Sequence, residues 1–188
     1  MDPLESLSEF VGNLPAVTKF KEWLREILHD RTYKRRVCFL TGPTGCGKTS
    51  LIHLAMKEVG FQIKEFPSSD MRVKQGRQLL LQYLQFFDVV SMIKRKQTGE
   101  DHQRKSALVE CIENMNGQSS QELYKSIRDM IKEEKTYGVP IVFTGILPFR
   151  GKRPLSLHAI FIHMRSRTSK ELHSILQDYV KKRPSLHE

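Results

Sequence analysis

Cysteine is scarce in this 188-residue chain: Cys38, Cys46 and Cys111 are its only three, and no two form a C-x-x-C pair. That usage argues against a disulfide scaffold or a zinc ribbon and points to a reducing compartment. Long apolar runs are missing too. The longest mixed run, Leu79 to Val90, is broken by Gln82, Gln85 and Asp88, well short of the ~18 apolar residues that span a bilayer. No membrane partner is therefore expected. The N-terminal MDPLESLSEF is acidic and has no apolar centre, so it does not read as a secretory signal. The seven histidines show no metal-ligand spacing, and His158 and His163 read as surface or edge residues. There is no internal repeat. Acidic residues are in deficit, 21 against 31 Lys+Arg, leaving a net charge of +10. Such an excess favours polyanionic partners: nucleic acid, nucleotide or an acidic protein surface. Apolar residues are not in deficit. They make up 39% of the chain, or about 45% with glycine counted, which is the globular range.

Helix and strand patterns alternate along the chain. Val17, Phe20, Trp23, Leu24, Ile27 and Leu28 fall on one helical stripe within Pro15 to Leu28. Val37 to Leu40 is a short apolar run halted by Thr41-Gly42-Pro43, as for a buried strand. A helix is expected over Thr49 to Val59, closed by Gly60, then a strand over Phe61 to Phe66. Further on, the patterns predict a helix over Gly76 to Val90, with Leu79, Leu80, Leu81, Leu84, Phe86 and Phe87 as core. A polar loop is expected over Lys94 to Lys105 and a strand over Ser106 to Cys111. The capping box Ser119-x-x-Glu122 opens a helix to about Thr136, and strands follow at Pro140 to Thr144 and His158 to His163. A second capping box, Thr168-x-x-Glu171, opens a final helix to about Lys182. This order predicts an α/β fold: a mostly parallel five-stranded sheet between helical layers. Ligands of such sheets sit beyond the carboxyl ends of the strands.

The most informative residues fall there. Gly42-Pro43-Thr44-Gly45-Cys46-Gly47-Lys48-Thr49 matches G-x-x-x-x-G-K-[ST] in full, after a strand and before a helix. Its glycines let backbone amides turn inward around a phosphate, and the helix N-terminus adds positive potential. Lys48 is expected at the β- and γ-phosphates and the Thr49 hydroxyl on Mg²⁺, with Ser50 beside it. Cys46 reads as a small filler rather than a nucleophile. No N-K-x-D guanine signature is present, which favours ATP. A hydrolysing ATPase of this kind also needs a carboxylate on a neighbouring strand. Glu110 can take that role, but the next residue is Cys111, where a second carboxylate would be expected. A thiol of ordinary pKa ~8.5 is mostly neutral at pH 7 and orients water poorly. Glu113 could substitute only if the strand ended early. Nucleotide binding with slow or absent intrinsic hydrolysis is the expectation. Thr144, at the end of its strand, is placed to meet the γ-phosphate or the attacking water.

Several blocks together resemble the large subunit of a clamp loader, an AAA+ ATPase of the replication factor C group. They are Phe10-Val-Gly-Asn13, Trp23-Leu24, Phe39 to Ser50, Glu58 to Phe66, Ala107 to Asn114, Pro140 to Thr144, Arg153-Pro-Leu155 and Ala159 to His163. Within that group Leu108-Val-Glu110 with Asn114 is similar to the DNA-damage checkpoint clamp loader more than to the replicative one. The resemblance implies an adenine pocket at Phe10, Val11 and Gly12, a magnesium site at Thr49 and Glu110, and catalytic roles for Glu110 and for Thr144 as sensor. It implies ATP and Mg²⁺ as cofactors, and small clamp-loader subunits, a sliding clamp and the DNA backbone as partners, in the nucleus. It places the Thr144 strand between the first and third. Residues 1–165 would form the AAA+ core and 166–188 one helix of a truncated lid. Ser156-Leu-His158 stands where small subunits carry an arginine finger. Two other readings remain open: a non-hydrolysing nucleotide-binding interaction protein, and the large subunit of a replicative or other alternative clamp loader. A small P-loop kinase would need an acceptor site and an Arg-rich closing segment, and neither is visible. The basic clusters Lys34-Arg35-Arg36, Lys94 to Lys96, Arg104-Lys105, Arg150 to Arg153, Arg165, Arg167 and Lys181 to Arg183 could track DNA or simply be solvated.

Overall fold

The computed structural model describes residues 6–30, 33–66, 78, 82, 104–110, 129, 139–145 and 159–181, with 104–110 described by their backbone. A short 3-10 helix over Leu7–Glu9 leads into α1, Leu14–His29. Then come β1 (Val37–Thr41), α2 (Lys48–Glu58), β2 (Phe61–Phe66), β3 (Arg104–Glu110), β4 (Ile141–Gly145), β5 (Ala159–His163) and α3 (Ser169–Lys181). The described strands form one parallel five-stranded sheet in the order β2-β3-β4-β1-β5. β4 thus lies between β1 and β3, as the resemblance implied.

The core follows from the apolar stripes. Ala16, Val17, Phe20, Trp23, Leu24 and Ile27 of α1 join Leu51, Ile52, Leu54, Ala55 and Met56 of α2 against Cys38, Leu40, Val142 and Ile162 of the sheet. Trp23 stacks at a tilt on Phe20, centroids 5.4 Å apart, and its indole N–H donates to the Arg35 carbonyl at 2.7 Å. On the opposite face Phe39 pairs in register with Phe143 and Phe161, ring centroids 5.2 and 5.0 Å away. Every residue of β1 is buried, as expected of a central parallel strand. Burial pushes the Cys38 thiol well above its usual range, so it is an inert core residue.

Several boundaries differ from the sequence reading. β3 starts at Arg104, because parallel pairing with β2 runs from Phe61 opposite Arg104; ladder bonds override the polarity that suggested a loop. Arg104 and Lys105 are therefore strand residues. The ladder ends with Glu110 opposite Thr144, one residue before the expected end, and Cys111 and Glu113 lie outside the described residues. Pro140, with no N–H to donate, precedes β4, which instead extends through Gly145. β5 begins at Ala159, and α2 begins at Lys48. Gln78, Gln82 and Asp129 are helical. The rest of the helices expected over 76–90 and 119–136 lies outside the described residues. So do the apolar cluster around Leu79, the 94–103 segment, Arg150 to Arg153, Ser156 to His158 and Arg183. No described helix is long and apolar enough to cross a membrane.

Candidate nucleotide site

The phosphate loop leaves the sheet from β1, an inner strand flanked by β4 and β5. Beyond β1, the Gly42 N–H donates to the Gly145 carbonyl at 2.9 Å, and the Met164 N–H donates to the Thr41 carbonyl at 2.7 Å. The loop is thus anchored between the ends of β4 and β5, with Thr144 on the neighbouring β4 level with Leu40, and Glu110 on β3, one strand further out, level with Thr144. Thr144 is buried. The Thr41 hydroxyl donates to the Ile162 carbonyl at 3.3 Å and lies 3.1 Å from His163 Nδ1. His163 is exposed on the edge strand, as its sequence position suggested.

Gly47 caps α2 in the left-handed region, φ 97°, and the Leu51 N–H donates to its carbonyl at 2.9 Å. A side chain there would be strained, and its Cβ would stand 2.6 Å from Arg167 Nη2 and 3.0 Å from the Phe10 ring. Gly45, also at positive φ, faces open space: a Cβ would meet nothing within 4 Å. The crown of the loop is therefore an open cradle, and Gly47 is its crowded rim. Cys46 is buried with its side chain turned inward, the filler expected. Lys48 is buried as well, and its ammonium donates to the Gly42 and Pro43 carbonyls at 2.9 and 3.0 Å. Thr49 and Ser50 are exposed on the first turn of α2, and Thr44 is exposed at the crown.

These features fit a nucleoside triphosphate with magnesium. The cradle is open at Gly45, a lysine is held on the loop, and a hydroxyl stands at the helix start. Among the described residues no group of three His, Cys, Asp or Glu could hold a metal alone. Mg²⁺ at a nucleotide is commonly held by one or two protein oxygens together with substrate phosphates. Thr49 and Glu110 would supply those oxygens.

The segment expected at the base also meets the loop. The Phe10 ring lies against Gly47, while Val11 and Gly12 are half-buried beside it. Five residues that the loop pattern did not single out, Asn13, Arg165, Arg167, Thr168 and Glu171, complete this corner. Asn13, buried, exchanges two hydrogen bonds with the backbone of Arg165. The Arg165 guanidinium makes two bonds to the Glu171 carboxylate, at 2.9 and 2.6 Å. The Glu171 carboxylate in turn accepts from the Thr168 N–H at 2.7 Å, and the Thr168 hydroxyl accepts from the Glu171 N–H at 3.3 Å. The expected capping box is therefore formed. Arg165 first, then the Thr168 N–H, holds the Glu171 carboxyl at about 2, well below the usual range. Gly12 approaches so closely that a Cβ there would stand 2.8 Å from Glu171 Oε1. Arg167 reaches back to the Cys46 carbonyl, Nε to O 3.5 Å, and lies 5.3 Å from the Phe10 ring centroid. The available signal was Arg165-x-Arg167 between a strand and a capping box; its target, more than a hundred residues earlier, was invisible without the sheet order.

A parallel sheet with a glycine loop between an inner strand and a helix, and a buried lysine on that loop, is the fold of the P-loop NTPases. Residues 38–144 match the ATPase family associated with various cellular activities (AAA), and the chain belongs to that family. The large subunit of replication factor C from Methanococcus aeolicus is 40% identical over 70 residues, 37% of this chain and 14% of that protein. The corresponding subunit from Thermofilum pendens is 24% identical over 178 residues, 94% of this chain and 40% of that protein. The chain therefore spans well under half the length of these relatives. Among solved structures, the RuvB Holliday junction branch migration motor of Thermotoga maritima superposes with a TM-score of 0.57 at 22% identity, covering 95% of this chain and 53% of that one. The E. coli HORMA:CdnC:Trip13 complex contains a chain matching with a TM-score of 0.58 at 14% identity, covering 93% of this chain and 70% of that one. Both likenesses concern the fold.

Proposed function

We propose that this chain is the ATP-binding AAA+ core of a clamp-loader large subunit that acts in DNA-damage checkpoint signalling and repair in the nucleus. The observation that carries the reading is similarity to a replication factor C large subunit along 94% of the chain, together with the phosphate loop at the end of the inner strand β1. In this reading residues 1–165 form the nucleotide-binding core and 166–188 the start of a lid. Lys48 neutralises the β- and γ-phosphates, Thr49 and Glu110 hold Mg²⁺, and Thr144 senses the γ-phosphate. Phe10, Val11 and Gly12 receive the base. Small clamp-loader subunits and a sliding clamp are the partners, and the +10 charge suits contact with a DNA backbone without base readout. The checkpoint assignment rests on Leu108-Val-Glu110 and Asn114; a replicative or alternative loader is the alternative within the same class.

A different class is favoured by one residue. Cys111 follows Glu110 where an orienting carboxylate would stand, so the nucleotide could be a structural ligand of a docking protein. ATP turnover measured with clamp-loader small subunits and primed DNA separates the two. Turnover abolished by Glu110→Gln in this chain supports the loader. Nucleotide retained and partners bound, with turnover insensitive to Glu110→Gln, supports the docking protein.

A further inference from the structure

Arg165 and Arg167 leave β5 two residues apart and meet different fates. Arg165 is engaged by Glu171 through two short bonds. Arg167, among the described residues, has no carboxylate partner. It makes one 3.5 Å bond to a carbonyl, at the long limit for a hydrogen bond, and lies on a ring face. A ring face attracts the cation but leaves its N–H donors unfilled. The guanidinium is half-buried and stands over Gly47, at the N-terminus of α2. On one side is the Phe10 ring; along the loop is the open cradle at Gly45.

The two cations on the loop are at opposite ends of it. Lys48 Nζ is bonded to Gly42 and Pro43, where the loop begins, and Arg167 sits at Cys46 and Gly47, where it ends. A base that stacks at the aromatic rim would send its phosphates past the guanidinium before they reach the cradle. A planar fork of donors matches two phosphate oxygens at once. We infer that Arg167 is a direct nucleotide ligand that binds the phosphate nearest the base, the α-phosphate, while Lys48 serves the β and γ groups. The inference rests on the nucleotide-binding reading above and adds to it a ligand from outside the loop. It also gives α3 a link to occupancy, because Arg167 lies one residue before the Thr168 cap of that helix.

Affinities for ADP and for ATP, each with Mg²⁺, test it by calorimetric titration of the full chain as wild type, Arg167→Ala, Arg167→Lys and Lys48→Ala. Arg167→Ala should weaken ADP and ATP by the same factor, about tenfold or more, the scale of a hydrogen bond to a charged group. Arg167→Lys should restore part of that loss, and the thermal midpoint without nucleotide should stay at the wild-type value. Wild-type affinity in Arg167→Ala, with Lys48→Ala defective, overturns this inference alone. Loss confined to ATP overturns the α-phosphate assignment. Loss matched by a fall in the nucleotide-free midpoint shows a structural residue instead. A wild-type chain that binds neither nucleotide overturns the nucleotide reading as well.

Discussion

Asn13 holds Arg165 by both ends of its amide: Nδ2 donates to the Arg165 carbonyl at 3.0 Å, and Oδ1 accepts from the Arg165 N–H at 2.8 Å. The bond pair ties the segment before α1 to the segment after β5, 152 residues away. It replaces the partners that the Arg165 backbone would find if β5 continued. Asn13 is also the one non-glycine residue at positive φ among the described residues, 51°, a conformation asparagine tolerates better than most. Asn13→Ala should lower stability by about 1–3 kcal/mol, because it leaves a carbonyl and an N–H unpaired. Asn13→Gly should cost less than Asn13→Ala, since the left-handed backbone is then unstrained. Urea denaturation of the three proteins checks the order.

The loop glycines should separate fold from binding. A Cβ on Gly42 would lie 2.5 Å from the Met164 carbonyl and 3.0 Å from Cys46 Sγ, and neither is a flexible chain end. Gly42→Ala should therefore cost about 1–3 kcal/mol of stability, the range for overpacking a tight site. Gly45→Ala meets open space and should cost only about 1–2 kcal/mol of backbone strain. That methyl occupies the cradle, however, so nucleotide affinity should fall disproportionately. Thermal midpoints with and without ATP, read side by side, distinguish the two variants.

Acid should release the α3 cap. The Glu171 carboxyl sits at about 2 in the folded chain against an ordinary 4.5. A carboxylate lowered on folding stabilises at pH above its unfolded value and loses that contribution as pH falls toward the folded value. The stability difference between wild type and Glu171→Gln should be full at pH 6 and shrink steadily from about 4.5 toward 2. Urea midpoints across that window test it; a difference that grows with acidification would contradict the ion-pair assignment.

The three-ring ladder predicts a large, purely structural effect. Phe39 is fully buried between Phe143 and Phe161. Phe39→Ala should cost about 3–5 kcal/mol, whereas Phe39→Leu keeps most of the volume and should cost less. Chemical denaturation measures both.

Central strands and the loop were legible because their signals are local. VCFL is apolar throughout, and the pattern from Gly42 to Thr49 needs no partner to be recognised. Thr168 and Glu171 announced their own capping box. What was not legible depends on pairing across the sheet. Arg104 and Lys105 look like loop residues until β2 is set beside them in register. Gly145 joins β4 because the Gly42 N–H needs its carbonyl. Arg165 and Arg167 were two basic residues in a scattered surplus until the β1–β5 pairing carried one to Asn13 and the other to the loop. Charge alone carries no information about which arginine finds a carboxylate.

Titration of the full chain with ATP and Mg²⁺, wild type against Lys48→Ala, tests the central claim most directly. Lys48 bonds the loop's own carbonyls at 2.9 and 3.0 Å and is expected to turn to the phosphates when they arrive. Saturable binding by the wild type, weakened at least tenfold in Lys48→Ala, the scale for loss of a hydrogen bond to a charged group, is the predicted result. Equal affinity in the two proteins, or no binding by the wild type, would contradict it.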